Sequence, residues 1–465
     1  MATRAHKAIL NLPLLMLVGC QTTTSLPEPT QDEPPPVVAP PGIEVAPPPE
    51  PDKSKLRITI ASVGDMMIGT DYPNNHLPDD DGVSFFAAVT PWLSAADVAF
   101  GNLEGVLLDG GEPGKKCSNP NACYLFRSPT RYAELYRTAG FDVLSLANNH
   151  ARDFGEEGRT STMQALDQVG IHHSGRIGEF AAFEVHGLKV AVLAYAVTKN
   201  SNMMLDYAYA VENVSTYVSS HDIVIVSFHG GAEGRDVTRI PFDEEEYYGE
   251  PRGDVVRFAR AVVDAGADLV IGHGPHVVRA MERYKGRLIA YSLGNFATYY
   301  GISVAGIKGV APILFTTLDG AGHFVDGEIV STVQIRPAGP SIDATNRALS
   351  LLRRLSAEDF GKPGLLFQAD GKILPADRPP VAERTFDESS FGEGGPAPCT
   401  EAWYWLLESK VSSGDGMGHG PDHGSAEWQS VIEFKLGVRD DTTVPPIDTP
   451  AWCDYIDRLF ISRQN

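Results

Sequence analysis

Apolar and polar residues follow one another along most of the chain in the pattern of an α/β protein. Short apolar runs of strand length alternate with segments whose apolar positions repeat at helical spacing. Strands are predicted at residues 57–63, 97–100, 141–146, 182–185, 189–195, 222–228 and 267–272. Helices are predicted at 84–96, 130–138, 158–169 and 254–264. Three further strands, at 287–292, 311–317 and 328–335, follow without intervening helices, which favours a layered α/β/β/α sandwich over a doubly wound sheet.

Five of the apolar strands end in a carboxylate, asparagine or histidine, usually beside glycine. The strand-end segments are Gly64-Asp65, Asn102-Leu103-Glu104, Asn148-Asn149-His150, His229-Gly230 and Gly272-His273 with His276. Ligands of α/β sheets gather at the carboxyl ends of strands, so these side chains are expected to share one crevice. Imidazole, carboxylate and amide oxygen together suit Mn, Fe or Zn. The sequence therefore predicts a centre for a divalent metal.

In their order along the chain, these motifs resemble those of the CapA family of poly-γ-glutamate capsule biosynthesis proteins, a branch of the calcineurin-like metallophosphoesterases. Asp153 after the third motif and Ser292-Leu293-Gly294-Asn295-Phe296 also match the pattern of that family. The similarity covers residues 56–336. It implies a four-layer α/β/β/α sandwich of the metallophosphoesterase type.

The resemblance also implies a role for each polar residue. Glu104 takes the position of the carboxylate that bridges two metals. One metal site is completed by Asn149, His229 and His273, and the other is served by Asp65 and His276. His150 matches the residue that protonates the leaving group or stabilises the transition state. Met67 stands where the superfamily has a histidine ligand, so one or two ions are expected.

Two functions follow from the resemblance. The first is a metal-dependent hydrolase of phosphoester, amide or ester bonds in the biosynthesis of a poly-γ-glutamate-type capsule or exopolymer. The alternative is a non-catalytic metal-binding module of a polymer assembly or export complex. The expected partners are an envelope polymer or small anionic substrate and other capsule-synthesis proteins.

Charge narrows the range of partners. The formal net charge is −22 and the isoelectric point is about 5.0. Binding to nucleic acid requires a basic surface, so nucleic acid is excluded as a partner. The same acidity repels polyanions at long range, and an anionic ligand has to be captured locally, for example by a metal ion.

The N-terminus predicts export and lipid anchoring. Arg4 and Lys7 precede an apolar stretch at 8–18 that is too short to span a bilayer and indicates a signal peptide at 1–20. The stretch ends in Leu17-Val18-Gly19-Cys20, which resembles a bacterial lipobox with Cys20 as the lipidated residue. Residues 21–55 contain eleven prolines and are predicted to form an extended tether. The protein is thus expected in the cell envelope, on the periplasmic or extracellular face.

After the tether, the chain is predicted to contain a main domain at 56–340, a linker with one helix at 341–398 and a small appendage at 399–465. The appendage holds four of the five tryptophans, and either packs as a disulfide-closed unit or presents a tryptophan platform to a glycan or partner. With Cys20 lipidated, four cysteines remain, and an oxidising compartment favours two disulfides. Sequence proximity favours Cys117–Cys123 and Cys399–Cys453.

Overall fold

The computed structural model describes residues 53–115, 124–377 and, with short gaps, 396–461. These residues belong to one compact unit, Asp52–Asn465. The predicted signal peptide with Cys20, nearly all of the predicted tether, and Cys117 with Cys123 lie outside the described residues. Within the described part, no helix is both long and apolar enough to cross a membrane.

Twenty strands and nine α-helices form the described part of the chain. The strands are β1 (Arg57–Met67), β2 (Val98–Leu103), β3 (Val106–Leu107), β4 (Arg127–Ser128), β5 (Val143–Ser145), β6 (His172–Ser174), β7 (Ala181–Val185), β8 (Leu188–Ala196), β9 (Ile223–His229), β10 (Glu245–Tyr247), β11 (Glu250–Gly253), β12 (Leu269–His273), β13 (Met281–Tyr284), β14 (Arg287–Ala290), β15 (Asn295–Thr298), β16 (Val310–Asp319), β17 (Phe324–Gln334), β18 (Pro340–Ile342), β19 (Leu365–Phe367) and β20 (Lys372–Pro375). The helices are α1 (Thr90–Leu93), α2 (Ala133–Ala139), α3 (Gly155–Val169), α4 (Tyr207–Val218), α5 (Val255–Asp264), α6 (Arg347–Phe360), α7 (Glu401–Lys410), α8 (Ala426–Leu436) and α9 (Pro450–Ile456).

Two sheets carry the fold. The first has ten strands in the order β19-β20-β17-β16-β1-β2-β5-β6, with β15 beside β1 and β18 beside β17. The second has six strands in the order β13-β14-β12-β9-β8-β7. Strands β1, β2, β5 and β6 are mutually parallel, as are β8, β9, β12 and β14. Parallel neighbours bring their carboxyl ends to the same edge of a sheet, and these ends hold the predicted site residues.

The two sheets pack face to face with helices outside. Successive side chains of β1 point to opposite faces of the sheet, so alternate residues share a face. Ile58 and Ile60 join the core shared with the second sheet, and Ala61 and Val63 pack with residues of α2 and α3. Helices α4 and α5 pack with the second sheet. The predicted four-layer α/β/β/α sandwich is confirmed.

The main domain extends further than the sequence predicts. Residues 341–398 are expected to form a linker, but β18 pairs with β17, β20 pairs with β17, and β19 pairs with β20. Helix α6 packs against β13, β16 and β17. The linker prediction is therefore wrong for the part up to Pro375, which belongs to the first sheet and its covering layer. Residues 378–395 lie outside the description.

The C-terminal segment is built from three similar helices. Each begins after a Ser or Thr cap that accepts a hydrogen bond from the backbone N–H of a tryptophan three residues later: Thr400 with Trp403, Ser425 with Trp428, and Thr449 with Trp452. All three tryptophans are fully buried in one apolar cluster. A disulfide joins Cys399 to Cys453, with the Cα atoms 5.5 Å apart. For these three tryptophans the interpretation as an exposed platform is wrong.

The indole groups connect the three helices in a closed ring. Trp403 Nε1 donates to Asp457, Trp428 Nε1 to Glu408, and Trp452 Nε1 to Glu433, each at 2.8 Å. Each carboxylate lies five residues after the tryptophan of its own helical repeat. The repeat, with a Ser or Thr cap, a tryptophan at the third following position and a carboxylate five residues later, occurs three times between 400 and 457.

Candidate metal centre

The strand ends of both sheets bring five of the six predicted metal ligands together. Asp65 lies near the end of β1, and Glu104 directly follows β2. His229 and His273 end β9 and β12, where they are register partners. His276 lies in the loop after β12 with φ +59°, in the left-handed region.

Asp65, Glu104 and His276 form the centre of the group. One ligand atom from each lies within 4.8 Å of those of the other two. The two ring nitrogens of His276 face different carboxylates: Nδ1 is 3.1 Å from Asp65 Oδ2, and Nε2 is 3.7 Å from Glu104 Oε1. His229 approaches the same oxygen of Glu104, with Nε2 at 3.8 Å. Glu104 Oε1 therefore lies between His229 at the end of β9 and His276 in the loop after β12, and its bridging role stays a prediction.

His273 lies closer to Asp65 than the predicted division of ligands suggests. Its Nδ1 is 3.3 Å from Asp65 Oδ1. The resemblance assigns His273 to the metal site of Asn149 and His229, and Asp65 to the other site. The side chains are thus in one group, and their division between two ions stays a prediction.

Asn149 and His150 follow β5 at the side of this group. The side-chain Oδ1 of Asn149 is buried, and Lys115 Nζ contacts its backbone carbonyl at 3.3 Å. His150 Nδ1 lies 2.7 Å from Asp153 Oδ2. The same carboxylate oxygen accepts a hydrogen bond from the backbone N–H of Phe126 at 2.8 Å, and the ring of Phe126 packs on His150 with centroids 4.3 Å apart. Asp153 and Phe126 therefore fix the orientation of the His150 ring.

The buried polar atoms of this group fit a cation. Among the described residues, the following buried atoms have no hydrogen-bond partner: Asp65 Oδ2, both carboxylate oxygens of Glu104, Asn149 Oδ1, His229 Nε2, and both ring nitrogens of His273. Leaving such groups unpaired is costly, and they are the atom types that ligate divalent metals. The donor set is therefore that of a divalent-metal site.

The charges of the site favour a positive group among the carboxylates. Burial raises the pKa of Glu104 to about 8, because His276 offsets only part of the desolvation. Burial acts to lower the pKa of His276, but the Glu104 and Asp65 carboxylates raise it to about 10. Burial acts to raise the pKa of Asp65, yet the imidazoles of His273 and His276, 3.3 and 3.1 Å from its oxygens, hold this pKa well below the usual range. A divalent cation would satisfy the same demand for positive charge.

Met67 does not reach into the group of ligands as a histidine at this position would. Its side chain is almost fully buried in a small apolar cluster with Phe126 and Ile302. Phe126 in turn packs on His150. The position of the expected ligand is therefore part of the apolar wall beside His150.

Three asparagines hold the ligands in place, in a role that the sequence does not predict for them. Asn102 Nδ2 donates to Asp65 Oδ1 at 2.8 Å and lies 3.4 Å from His229 Nδ1. Asn148 Nδ2 donates to Asn102 Oδ1 at 3.1 Å, and Asn295 Oδ1 is 2.9 Å from His276 Nδ1. All three lie within the strand-end motifs, so the motifs themselves were the available signal.

The fold and the donor set define a class: an α/β/β/α sandwich with a candidate divalent-metal centre at the carboxyl ends of its strands. Residues 59–300, more than half of the chain, match the family described as "Bacterial capsule synthesis protein PGA_cap". The chain belongs to this family, and the predicted resemblance to capsule biosynthesis proteins is confirmed.

Three named relatives are similar to about half of this chain. The chain is 28% identical over 263 residues to capsule biosynthesis protein CapA of Bacillus anthracis, which covers 52% of this chain and 59% of the relative. It is 30% identical over 256 residues to PGA biosynthesis protein CapA of Bacillus subtilis, covering 51% and 63%. A probable polyglutamine synthesis accessory protein of Mycobacterium tuberculosis is 28% identical over 234 residues, covering 44% and 57%. The chain thus spans less than two thirds of the length of these relatives.

Two solved structures resemble the chain weakly. A hypothetical protein of Thermus thermophilus aligns with a TM-score of 0.38 and 16% identity, over 60% of this chain and 100% of that protein. A putative 5'-nucleotidase of Staphylococcus aureus aligns with a TM-score of 0.34 and 14% identity, over 64% and 58%.

Proposed function

We propose that this protein is a metal-dependent hydrolase that acts in the biosynthesis of a poly-γ-glutamate-type capsule or exopolymer. The observation that supports this function is the convergence of buried, unpaired carboxylate, imidazole and amide atoms at the strand ends. Asp65 is ion-paired with His273 and His276, but a purely structural cluster would not leave Glu104, Asn149 and His229 Nε2 without hydrogen-bond partners. The names of the relatives support a role in the synthesis of a poly-γ-glutamate-type polymer. The bond proposed to be cut is a phosphoester, amide or ester.

Each residue has a role in this proposal. Glu104, Asn149, His229 and His273 hold the tighter ion, and Asp65 with His276 holds a weaker one. Mn, Fe or Zn bound there would lower the pKa of a water molecule and neutralise charge on the substrate. In its imidazolium form His150 gives the Nε2 proton to the leaving group and becomes neutral, while its Nδ1–H stays on Asp153, which fixes the ring. The net charge of −22 favours local capture of an anionic substrate over long contacts with a polyanion.

A non-catalytic module of a polymer assembly or export complex is the second candidate. Met67 favours it, because an apolar side chain occupies the position of a ligand histidine. Other capsule-synthesis proteins would be its partners. The two candidates differ in whether purified protein with bound metal turns over a substrate, so metal analysis should be coupled to a panel of phosphodiester, ester and peptide substrates.

Replacing His150 with glutamine tests the catalytic candidate. We expect the metal content to stay at the parent level and hydrolysis to fall by about 10²–10⁴-fold, since proton transfer from a positioned side chain contributes that much. Metal content is measured by elemental analysis and rates by the substrate panel. His186→Gln, at an exposed turn, is the matched control and should keep full activity. Equal rates for the two variants would contradict the role of His150.

The lipid anchor is a separate part of the proposal. Cys20→Ser should move the protein from the membrane fraction to the soluble fraction while metal binding is unchanged, since the thioether-linked lipid is the proposed attachment. Fractionation with a carbonate wash measures this. Cys20→Ser protein that remains with membranes after the wash would contradict the anchor.

A further inference from the structure

The loop that follows His229 carries an acidic residue toward the metal centre. The loop, residues 230–234, is fixed by backbone hydrogen bonds to two neighbouring segments. Gly230 N donates to the carbonyl of His273 at 3.0 Å, and Gly234 N donates to that of Pro275 at 3.2 Å. Gly231 N donates to the carbonyl of Arg252 at 2.9 Å. The loop therefore has a fixed position between the two histidine-bearing strand ends and β11.

Glu233, within this loop, lies between a buried arginine and His276. Its Oε1 is 3.1 Å from Arg252 Nη2, and its Oε2 is 3.8 Å from His276 Nε2. Arg252 is only 2% exposed, and its Nε donates to the carbonyl of Gly231 at 2.8 Å. One carboxylate oxygen is thus held by the guanidinium group, and the other faces the centre.

A second buried ion pair fixes the same loop from its other side. Arg279, fully buried, donates to both carboxylate oxygens of Glu245 at 2.7 and 2.8 Å. Glu245 also accepts a hydrogen bond from the backbone N–H of Ala232, next to Glu233, at 2.9 Å. A bidentate pair with these further bonds restricts the loop strongly. The direction of Glu233 is therefore set by the fold.

His276 Nε2 is nearly equidistant from one oxygen of Glu104 and one of Glu233, and Glu233 lies just outside the group of Asp65, Glu104 and His276 whose ligand atoms are within 4.8 Å of one another. Two ligand atoms that each lie about 2.1 Å from a metal are about 3.4 Å apart at a tetrahedral angle. His276 Nε2 is 3.7 Å from Glu104 Oε1 and 3.8 Å from Glu233 Oε2. The other ring nitrogen, Nδ1, faces Asn295 Oδ1 at 2.9 Å, so Nε2 is the atom that remains for a metal.

We propose that Glu233 is an additional ligand of the metal centre, on the side of His276 and Glu104, and that Arg252 holds it in position. This inference rests on the proposed metal site. It assigns a carboxylate to a centre in which Met67 provides no ligand. Glu233 reaches the centre from the loop after β9, whereas Met67 lies at the end of β1.

Glu233→Gln tests the assignment, because the amide keeps the volume and removes the anionic ligand. Calorimetric titration of the purified protein with Mn²⁺ and with Zn²⁺ should show either one fewer bound equivalent or an affinity more than about tenfold weaker. The thermal shift produced by metal should shrink in parallel. Glu246→Gln is the control, since Glu246 is exposed on the neighbouring hairpin and its replacement removes the same charge.

The outcomes separate this inference from the proposed function. Parent protein that binds neither metal would overturn the metal site and with it the proposed function. Parent protein that binds metal, with Glu233→Gln binding it equally well, would overturn only the role of Glu233. An unchanged affinity with a raised KM would likewise overturn ligation and make Glu233 a substrate contact. A loss in both Glu233→Gln and Glu246→Gln would overturn it too, as an effect of net charge.

Discussion

Glu104→Gln should abolish tight metal binding and leave the metal-free protein at least as stable as the parent. Both carboxylate oxygens of Glu104 are fully buried and without a hydrogen-bond partner among the described residues. Because burial raises the pKa of Glu104 to about 8, folding near neutral pH requires this carboxyl to take up a proton, which costs free energy, and the neutral amide removes that cost. Oε1 lies within 3.8 Å of both His229 Nε2 and His276 Nε2, so replacing the carboxylate removes the anionic donor shared by both sides of the centre.

The measurement compares melting temperatures in EDTA and in Mn²⁺ or Zn²⁺. Parent protein should gain stability from metal, because a ligand that binds only the folded state stabilises it, and Glu104→Gln should not. Glu282→Gln is the control: this buried carboxylate accepts hydrogen bonds from Arg260 and Tyr291. Its replacement should cost about 1–3 kcal/mol of unfolding free energy and leave metal binding intact. A Glu104→Gln protein that melts below the parent in EDTA would contradict the argument.

The parallel strands could be predicted from the sequence because they are buried on both faces. Such strands are continuous apolar runs, as in β9 and β12, and polar residues at their ends stand out. The sequence predicts a helix over 84–96, but only Thr90–Leu93 is α-helical. Pro91 lies in the first turn of that helix, and the preceding residues form turns in which Asp80 accepts bonds from Gly82 and Ser84. These local bonds compete with helix formation.

The short strands at the edges could not be predicted in the same way. Strands β18, β19 and β20 have three or four residues each and mix exposed with buried positions. Runs of this length carry too little periodicity to distinguish a strand from a loop. Their pairing with β17 depends on long-range contacts, which the local sequence does not encode. For this reason the predicted end of the main domain fell before them.

The residues of the site likewise divide into those that the sequence predicts and those that it does not. Asp65, Glu104, His229 and His273 could be predicted as site residues because each lies at or beside the end of an apolar strand. Glu233 and Arg252 lie on a loop and on a polar hairpin, where no apolar pattern gives the direction of a side chain. The acidic run at 243–246 also contains Glu245, whose carboxylate is buried against Arg279. Only the packed structure shows which of these charged residues point inward.

Trp428→Ala should unfold the C-terminal helical segment and leave the metal centre intact. Trp428 is fully buried, its indole packs near Trp452 with ring centroids 6.3 Å apart, and its Nε1 donates to Glu408. Removing a buried tryptophan side chain costs about 3–5 kcal/mol, and Glu408 would also lose a partner. A three-helix unit with one small apolar cluster has little stability to spare.

Limited proteolysis and elemental analysis should separate the two regions of the chain. In Trp428→Ala, cleavage within residues 396–461 should become fast, while the metal content and the melting of the main domain match the parent. Phe434→Ala, on the same helix with 65% of the side chain exposed, is the control and should resist cleavage as the parent does. The disulfide between Cys399 and Cys453 remains in both variants, so the comparison isolates the tryptophan.

Loss of metal in Trp428→Ala would instead mean that the C-terminal helices support the centre. Cleavage at the parent rate would mean that the ring of indole–carboxylate bonds contributes little to the stability of the segment.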